Sequence, residues 1–197
     1  MFKLTKTLES LGYIVDIYDN TDQVKEALLK KISKDDTVGF GGSVTVDQVG
    51  IYEALEARGN EVYWHWKAED KPQALRKATN SDVYISSSNA LTEDGKLVNK
   101  DGVGNRVASM IYGHRDVYIV VGNNKICRDY EAANERIQSV AGPKNAMRLG
   151  LNTPCVQAGR CNNCNSPERI CNVESIIDKN PNGTQINILL VNEVLGY

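Results

Sequence analysis

Short apolar runs, each the length of a β-strand, alternate along this chain with segments whose apolar residues recur at helical spacing. The runs fall at 13–18, 36–40, 61–66, 82–88, 116–122 and 186–191. Between them, Val24, Ala27, Leu28 and Ile32 mark one helical face. Val46, Val49, Ile51 and Leu55 mark a second, and Ala132, Ala133, Ile137 and Val140 a third. Strands alternating with helices predict an α/β fold, a Rossmann-like, mostly parallel sheet with helices on both faces. Gly12 and Gly59 stop helices, Asn20 caps one, and Pro72 suits a first helical turn. Gly142-Pro143 is expected to break the helix over 128–140, with one or two further turns over 144–149.

With 197 residues, 41% of them hydrophobic, one α/β domain over 1–197 is expected, carrying a cysteine-rich loop at about 152–172. The formal net charge of −2 gives no global attraction for nucleic acid or an anionic membrane. No apolar run nears the roughly 18 residues needed to cross a bilayer. Residues 1–6 lack an apolar signal core, so a cytoplasmic location is expected. In that reducing compartment the five cysteines are not expected to form a disulfide framework.

Three loops follow strands and carry most of the polar residues that a ligand site would need. In the first, Gly41 and Gly42 let backbone approach a ligand, and Ser43 and Thr45 add hydroxyls where free N–H groups favour an anion. The alternative is a tight turn with Ser43 as N-cap. The second, 86–106, reads as a long polar connection with little to bury, and so as the floor of a site. Its candidate ligand contacts are Ser88, Asn89, Thr92, Asn99, Lys100, Gly104, Asn105 and Arg106, with Lys100 and Arg106 suited to an anion. Glu93, Asp94 and Asp101 are its candidate general bases. Loop acids and amides also cap helices and pin turns, and Asp94-Gly95 is a common turn pair. Asn124 and Lys125 complete the ligand set from the third loop. Of the two histidines, His65 is assigned to an aromatic strand and His114 to a surface loop.

Cys155, Cys161, Cys164 and Cys171 follow the pattern C-x5-C-x2-C-x6-C among Asn, Gly, Pro and Arg. Cys161 and Cys164 form a tight chelating pair, and the outer two could complete a four-thiolate set for zinc or an iron–sulfur cluster. Four reduced thiols, or a disulfide formed in air, is the other reading. Cys127 is assigned a structural role.

Gly-Gly-Ser-Val-Thr at 41–45, Ser-Ser-Asn-Ala-Leu-Thr-Glu-Asp-Gly at 87–95, Asp-Gly-Val-Gly-Asn-Arg at 101–106 and Val-Gly-Asn-Asn-Lys-Ile at 121–126 closely resemble the LUD domain family. These are the lactate utilisation proteins of LutC and YkgG type, and the resemblance runs over nearly the whole chain. It implies the fold shared by ribose-phosphate isomerases, glucosamine-phosphate deaminases and CoA transferases (NagB/RpiA/CoA transferase-like). It also implies a link to the oxidation of lactate to pyruvate beside iron–sulfur partner proteins. Along a further likeness to the isomerases, Asn89 stands where they keep a catalytic aspartate, and an amide cannot take up a proton as a carboxylate does. CoA transferases need a glutamate nucleophile, for which Glu93 is the only local candidate. The expectation is therefore a protein of organic-acid oxidation that binds a small organic-acid or phosphate anion. Two alternatives stand beside it, a non-catalytic subunit docking an iron–sulfur partner and a CoA-ester or sugar-phosphate enzyme. A homo-oligomer is left open.

Overall fold

The computed structural model describes residues 2–197. Helix α1 (Phe2–Ser10) turns Leu4 and Leu8 inward and leads into strand β1 (Ile14–Tyr18). Helix α2 (Thr21–Lys31) starts where the Asn20 side chain accepts from the N–H of Gln23. After β2 (Val38–Phe40) the expected single helix over 46–58 is two, α3 (Val44–Val49) and α4 (Ile51–Arg58). Gly50, at φ +66°, takes the left-handed conformation that separates them.

Strand β3 (Val62–Tyr63) is shorter than the 61–66 run, because the chain turns at Trp64. Helix α5 (Lys71–Thr79) has Pro72 in its first turn and precedes β4 (Val83–Ser87). Residues 86–106 are not the polar connection expected. They form a hairpin of β5 (Ala90–Thr92) and β6 (Leu97–Asp101), closed by a turn at Gly95 with φ +96°. Ala90, Leu91, Leu97 and Val98 are all fully buried in it. Two adjacent apolar pairs, each with one residue toward either face, suffice to sink a segment whose other side chains are polar.

Helix α6 (Asn105–Ile111), strand β7 (Asp116–Gly122), a 3-10 turn (Asn123–Lys125) and strand β8 (Ile126–Cys127) follow. Gly142-Pro143 does not end the next helix. Helix α7 (Tyr130–Arg136) passes through a π turn (Ile137–Ala141) into α8 (Gly142–Arg148). The N–H of Gly142 reaches back five residues to Ile137 O, and the widened turn makes room for the proline ring and its missing donor. Helix α9 (Pro154–Ala158), β9 (Val173–Ile177) and β10 (Gln185–Val191) complete the chain.

Among the described residues the main sheet has six strands in the order β1-β10-β7-β4-β2-β3, each pair parallel. The mostly parallel α/β sheet with helices on both faces is thus as the sequence predicts. Alternate residues serve opposite faces. Val83 and Ile85 of β4 join Phe40, Val46 and Leu55 on one face, while Tyr84 joins Leu8, Leu97 and Met110 on the other. The second sheet, β8-β5-β6-β9, is mixed. Its Leu91 and Leu97 pack into the main core, and its Ala90 and Val98 meet Ala133 and Ile137 of the long helix. Burying one such leucine contributes roughly 1.5–3 kcal/mol.

Candidate functional site

Register brings the carboxyl ends of four strands to one edge. Phe40 pairs with Ile85, Ser87 with Val120, and Gly122 with Val191. The chain leaving each strand there surrounds a cavity of about 250 Å³, the placement expected for a ligand site in a parallel sheet. Gly42, Ser43, Thr45, Ser88, Asn89, Lys100, Asp101, Asn105, Arg106 and Lys125, all expected site residues, line it. Ser43, Ser88 and Lys100 are among those that also have structural roles. Ser43 Oγ caps α3 at Val46, Ser88 Oγ donates to Ala90 O, and Lys100 Nζ lies 2.6 Å from Glu174.

Lys125 sits at the cavity's floor and is 3% exposed. Its Nζ donates to Thr45 Oγ1 at 2.7 Å and Ser87 Oγ at 2.9 Å, and no carboxylate pairs with it among the described residues. Burial, with the nearby charges of Arg136 and Arg106, pulls its pKa down to about 7. An amine so placed is poised between ammonium and free base at neutral pH.

Arg106 is also enclosed, but both terminal nitrogens of its guanidinium are engaged within the protein. Nη1 donates to Ser87 O and Asn99 Oδ1, and Nη2 to Asn89 Oδ1 and Lys100 O. Its Nε stands 3.7 Å from Asp101. Asn89 and Asn99 complete the lattice by accepting from the N–H groups of Lys100 and Asn89 respectively. Asp101 Oδ1 accepts from Val103 and Gly104 ahead of α6, where Gly104 takes φ +92°. Arg106 thus clamps the hairpin to the sheet edge, and only its rim meets the cavity.

The other expected residues lie off the cavity. Thr92 and Asp94 hydrogen-bond each other at the hairpin tip, Asp94 pairs with Lys96, and the Glu93 side chain is exposed beside them. Of the three candidate bases only Asp101 faces the cavity. Gly41 is pressed against the clamp. A Cβ there would stand 2.6 Å from Ser86 Oγ and 3.0 Å from Arg106 Cγ. Asn124 binds the N–H and C=O of Leu195 and so fastens residues 193–197 over the site.

Several walls were not foreseen. His65 and Trp66 leave the strand and cover Gly42, where a Cβ would come within 3.0 Å of Trp66 Nε1. Burial and the charges of Lys71 and Arg148 push the His65 pKa down. Arg148 lies over the Trp66 ring at 4.4 Å and donates to Tyr197 Oη, while Asn145 accepts from both Arg148 and Tyr197. Ser87 completes the Lys125 cradle. These residues come from a turn, helix α8, the end of β4 and the 193–197 segment, and sequence spacing gives no signal that joins them. His114, assigned to the surface, is 2% exposed, with Nδ1 2.7 Å from Ser81 O and its ring stacked on Tyr84.

Cys155, Cys161, Cys164 and Cys171 line a second cavity of about 320 Å³, which shares Asn89, Lys100, Asn145 and Ile170 with the first. All four thiols are free and half-buried. Among the described residues no three Cys, His, Asp or Glu side chains are grouped closely enough to hold one ion. Cys127 lies apart, its Sγ 3.6 Å from Lys125 O.

Fold and site define an α/β protein with a cation-floored pocket at the carboxyl edge of a parallel sheet. The LUD domain model matches residues 1–191, and the chain belongs to that family. Among solved structures it is similar to a DUF162 family protein from Deinococcus radiodurans, at 8% identity, TM-score 0.56, and coverage of 96% of this chain and 94% of that one. It is also similar to ribose 5-phosphate isomerase A from Neisseria gonorrhoeae, at 13% identity, TM-score 0.36, and 57% of each chain. The first likeness shows a shared fold. A comparison with curated proteins gives no match. Among the described residues no helix is long and apolar enough to cross a membrane.

Proposed function

We propose that this protein binds a small organic-acid anion in the 250 Å³ pocket and serves organic-acid oxidation of the lactate-to-pyruvate type in the cytoplasm. The observation that carries the reading is Lys125, a buried amine whose only hydrogen-bond partners among the described residues are two hydroxyls. A carboxylate or phosphate beside it supplies the missing counter-charge and draws the amine to its ammonium form. Arg148 and the rim of Arg106 bias the pocket further toward anions. Catalysis by a carboxylate has less support, because Asp101 is engaged at the start of α6 and Asn89 is an amide.

Thermal unfolding with lactate, pyruvate, inorganic phosphate and acetyl-CoA tests this. An anion present at 100 times its Kd adds roughly 2.7 kcal/mol, and Lys125→Met is expected to remove that gain. No stabilisation by any of the four overturns the reading.

Thiolate-bound metal at the cysteine loop, as zinc or an iron–sulfur cluster, belongs to the same reading, since all four thiols face one cavity. A non-catalytic subunit that docks an iron–sulfur partner through this loop is the second reading, favoured by thiols that are half-buried rather than sealed.

A further inference from the structure

The geometry points to an iron–sulfur cluster, rather than a single ion, held by Cys155, Cys161, Cys164 and Cys171 in the 320 Å³ cavity. This rests on metal binding at that loop and decides what kind.

The spacing of the thiols makes the choice. Zinc holds four sulfurs at about 2.3 Å, so the thiols of a zinc site crowd round one point and leave no void. Here the four thiols surround a hollow and are not grouped closely enough to share one ion. Thiols round a cluster stand farther apart, because each binds a different iron and the cluster's own sulfides fill the centre.

The loop is also shaped in advance. Asn163 has φ +51° and is the one described non-glycine residue in the left-handed region. That turn brings the Asn163 N–H to 3.4 Å from Cys161 Sγ. Such N–H···S bonds satisfy thiolate sulfur in metal sites and tune clusters. Arg169 ties the last two members of the ligand set, donating from Nη1 to Cys164 O at 2.7 Å and from Nη2 to Cys171 O at 3.2 Å. Its charge offsets the negative charge of a thiolate-bound cluster.

The π turn supplies the anchor. Gly142 gives its N–H to Ile137 O, and Pro143 has none, so Gln138 O loses its helical donor. The N–H of Cys161 takes that place at 2.8 Å. Ile137, Gln138, Ala141, Gly142 and Pro143 form the opposite wall of the hollow. The residue pair expected to break the helix therefore holds the cysteine loop at the cavity.

Anaerobic reconstitution of the full chain with ferric iron, sulfide and dithiothreitol as reductant tests the assignment. The expected product is brown, with iron and acid-labile sulfide each near four per chain, as for a cubane cluster. In it, the four thiols resist alkylation in intact-mass spectra while Cys127 reacts. Cys161→Ser and Cys171→Ser should lose most of the iron, and Cys127→Ser should keep it. Should a serine variant fail to fold, the alkylation pattern of the unaltered chain still decides. A colourless protein with about one zinc per chain would overturn the cluster and leave metal binding intact. Four freely alkylated thiols and no retained metal would overturn both.

Discussion

Two buried cations stand at the same sheet edge, yet they sit in opposite chemical company. Arg106 donates to two backbone carbonyls and two side-chain amides and lies beside Asp101. Lys125 donates to two hydroxyls and has Arg106 and Arg136 for neighbours. A charge is costly to bury unless it is paired and hydrogen-bonded. The clamp around Arg106 meets that requirement from within the protein. The floor around Lys125 does not, and its amine is left to shed its proton or find an anion. The contrast separates residues that build the pocket from the one with something to offer a ligand, although both types sit in family-like motifs.

Arg106→Ala should have the largest effect. It strips donors from four acceptors and frees the hairpin from the sheet, a loss of about 3 kcal/mol or more in chemical denaturation. Arg106→Lys should recover little, since an ammonium cannot span the same fork of acceptors. If Arg106→Ala kept wild-type stability and lost only ligand binding, the clamp would be reassigned to the ligand.

Lys125→Met should act in the opposite sense. Anion affinity is expected to fall by more than about tenfold, while the melting temperature at neutral pH stays level or rises because an unpaired buried charge is gone. A fall in stability like that of Arg106→Ala would make the two cations equivalent struts.

The legible and illegible parts of this molecule divide along similar lines. The main sheet was readable because each of its inner strands is apolar on both faces and bounded by caps or glycines, as at Val117–Val121. The hairpin was not, because its buried set is Ala90, Leu91, Leu97 and Val98 amid ten polar or turn-forming neighbours, and β8 and β9 are short or half-exposed. Several polar residues of 86–106 do line the cavity, but much of that polar content is spent internally. Asn89 and Asn99 bind Arg106, and Asp101 engages the start of α6. In the sequence Lys125 is one candidate contact among many. Its distinction lies in partners at positions 45 and 87, which only the register of β2, β4 and β7 brings together. Gly142-Pro143 predicts a helix break because a local rule cannot see that a π turn absorbs the proline.

The contrast can be sharpened by pH. The folded pKa of Lys125 is about 7, against roughly 10.4 for an unfolded lysine. Between these values the unfolded chain binds more protons, so this group makes the ligand-free protein more stable as pH rises through that window, and less stable as pH falls toward about 7. Anion affinity should run the other way, weakening above about pH 7 as the ammonium is lost. Urea titrations and binding isotherms from about pH 6 to about pH 9 measure both slopes. Lys125→Met should flatten both. Slopes of the same sign would mean that the ligand does not contact this amine.

The smallest effect is expected at the hairpin tip. Asp94 is exposed, its carboxylate is held by Lys96 at 2.8 Å and by the Thr92 hydroxyl, and these contacts hold its pKa below the usual carboxylate range. Asp94→Asn should keep the turn, because the amide can still bond Thr92 and Gly95 keeps its left-handed conformation. The lost ion pair is a surface one, worth about 0.5 kcal/mol or less. By the sign of the shift, that small stabilisation is present near neutral pH and disappears as pH falls through the carboxylate range. Anion affinity should not change, since neither Asp94 nor its partners line the cavity. A tenfold loss of binding in Asp94→Asn would extend the site along the whole hairpin, and the separation of clamp from floor would then fail.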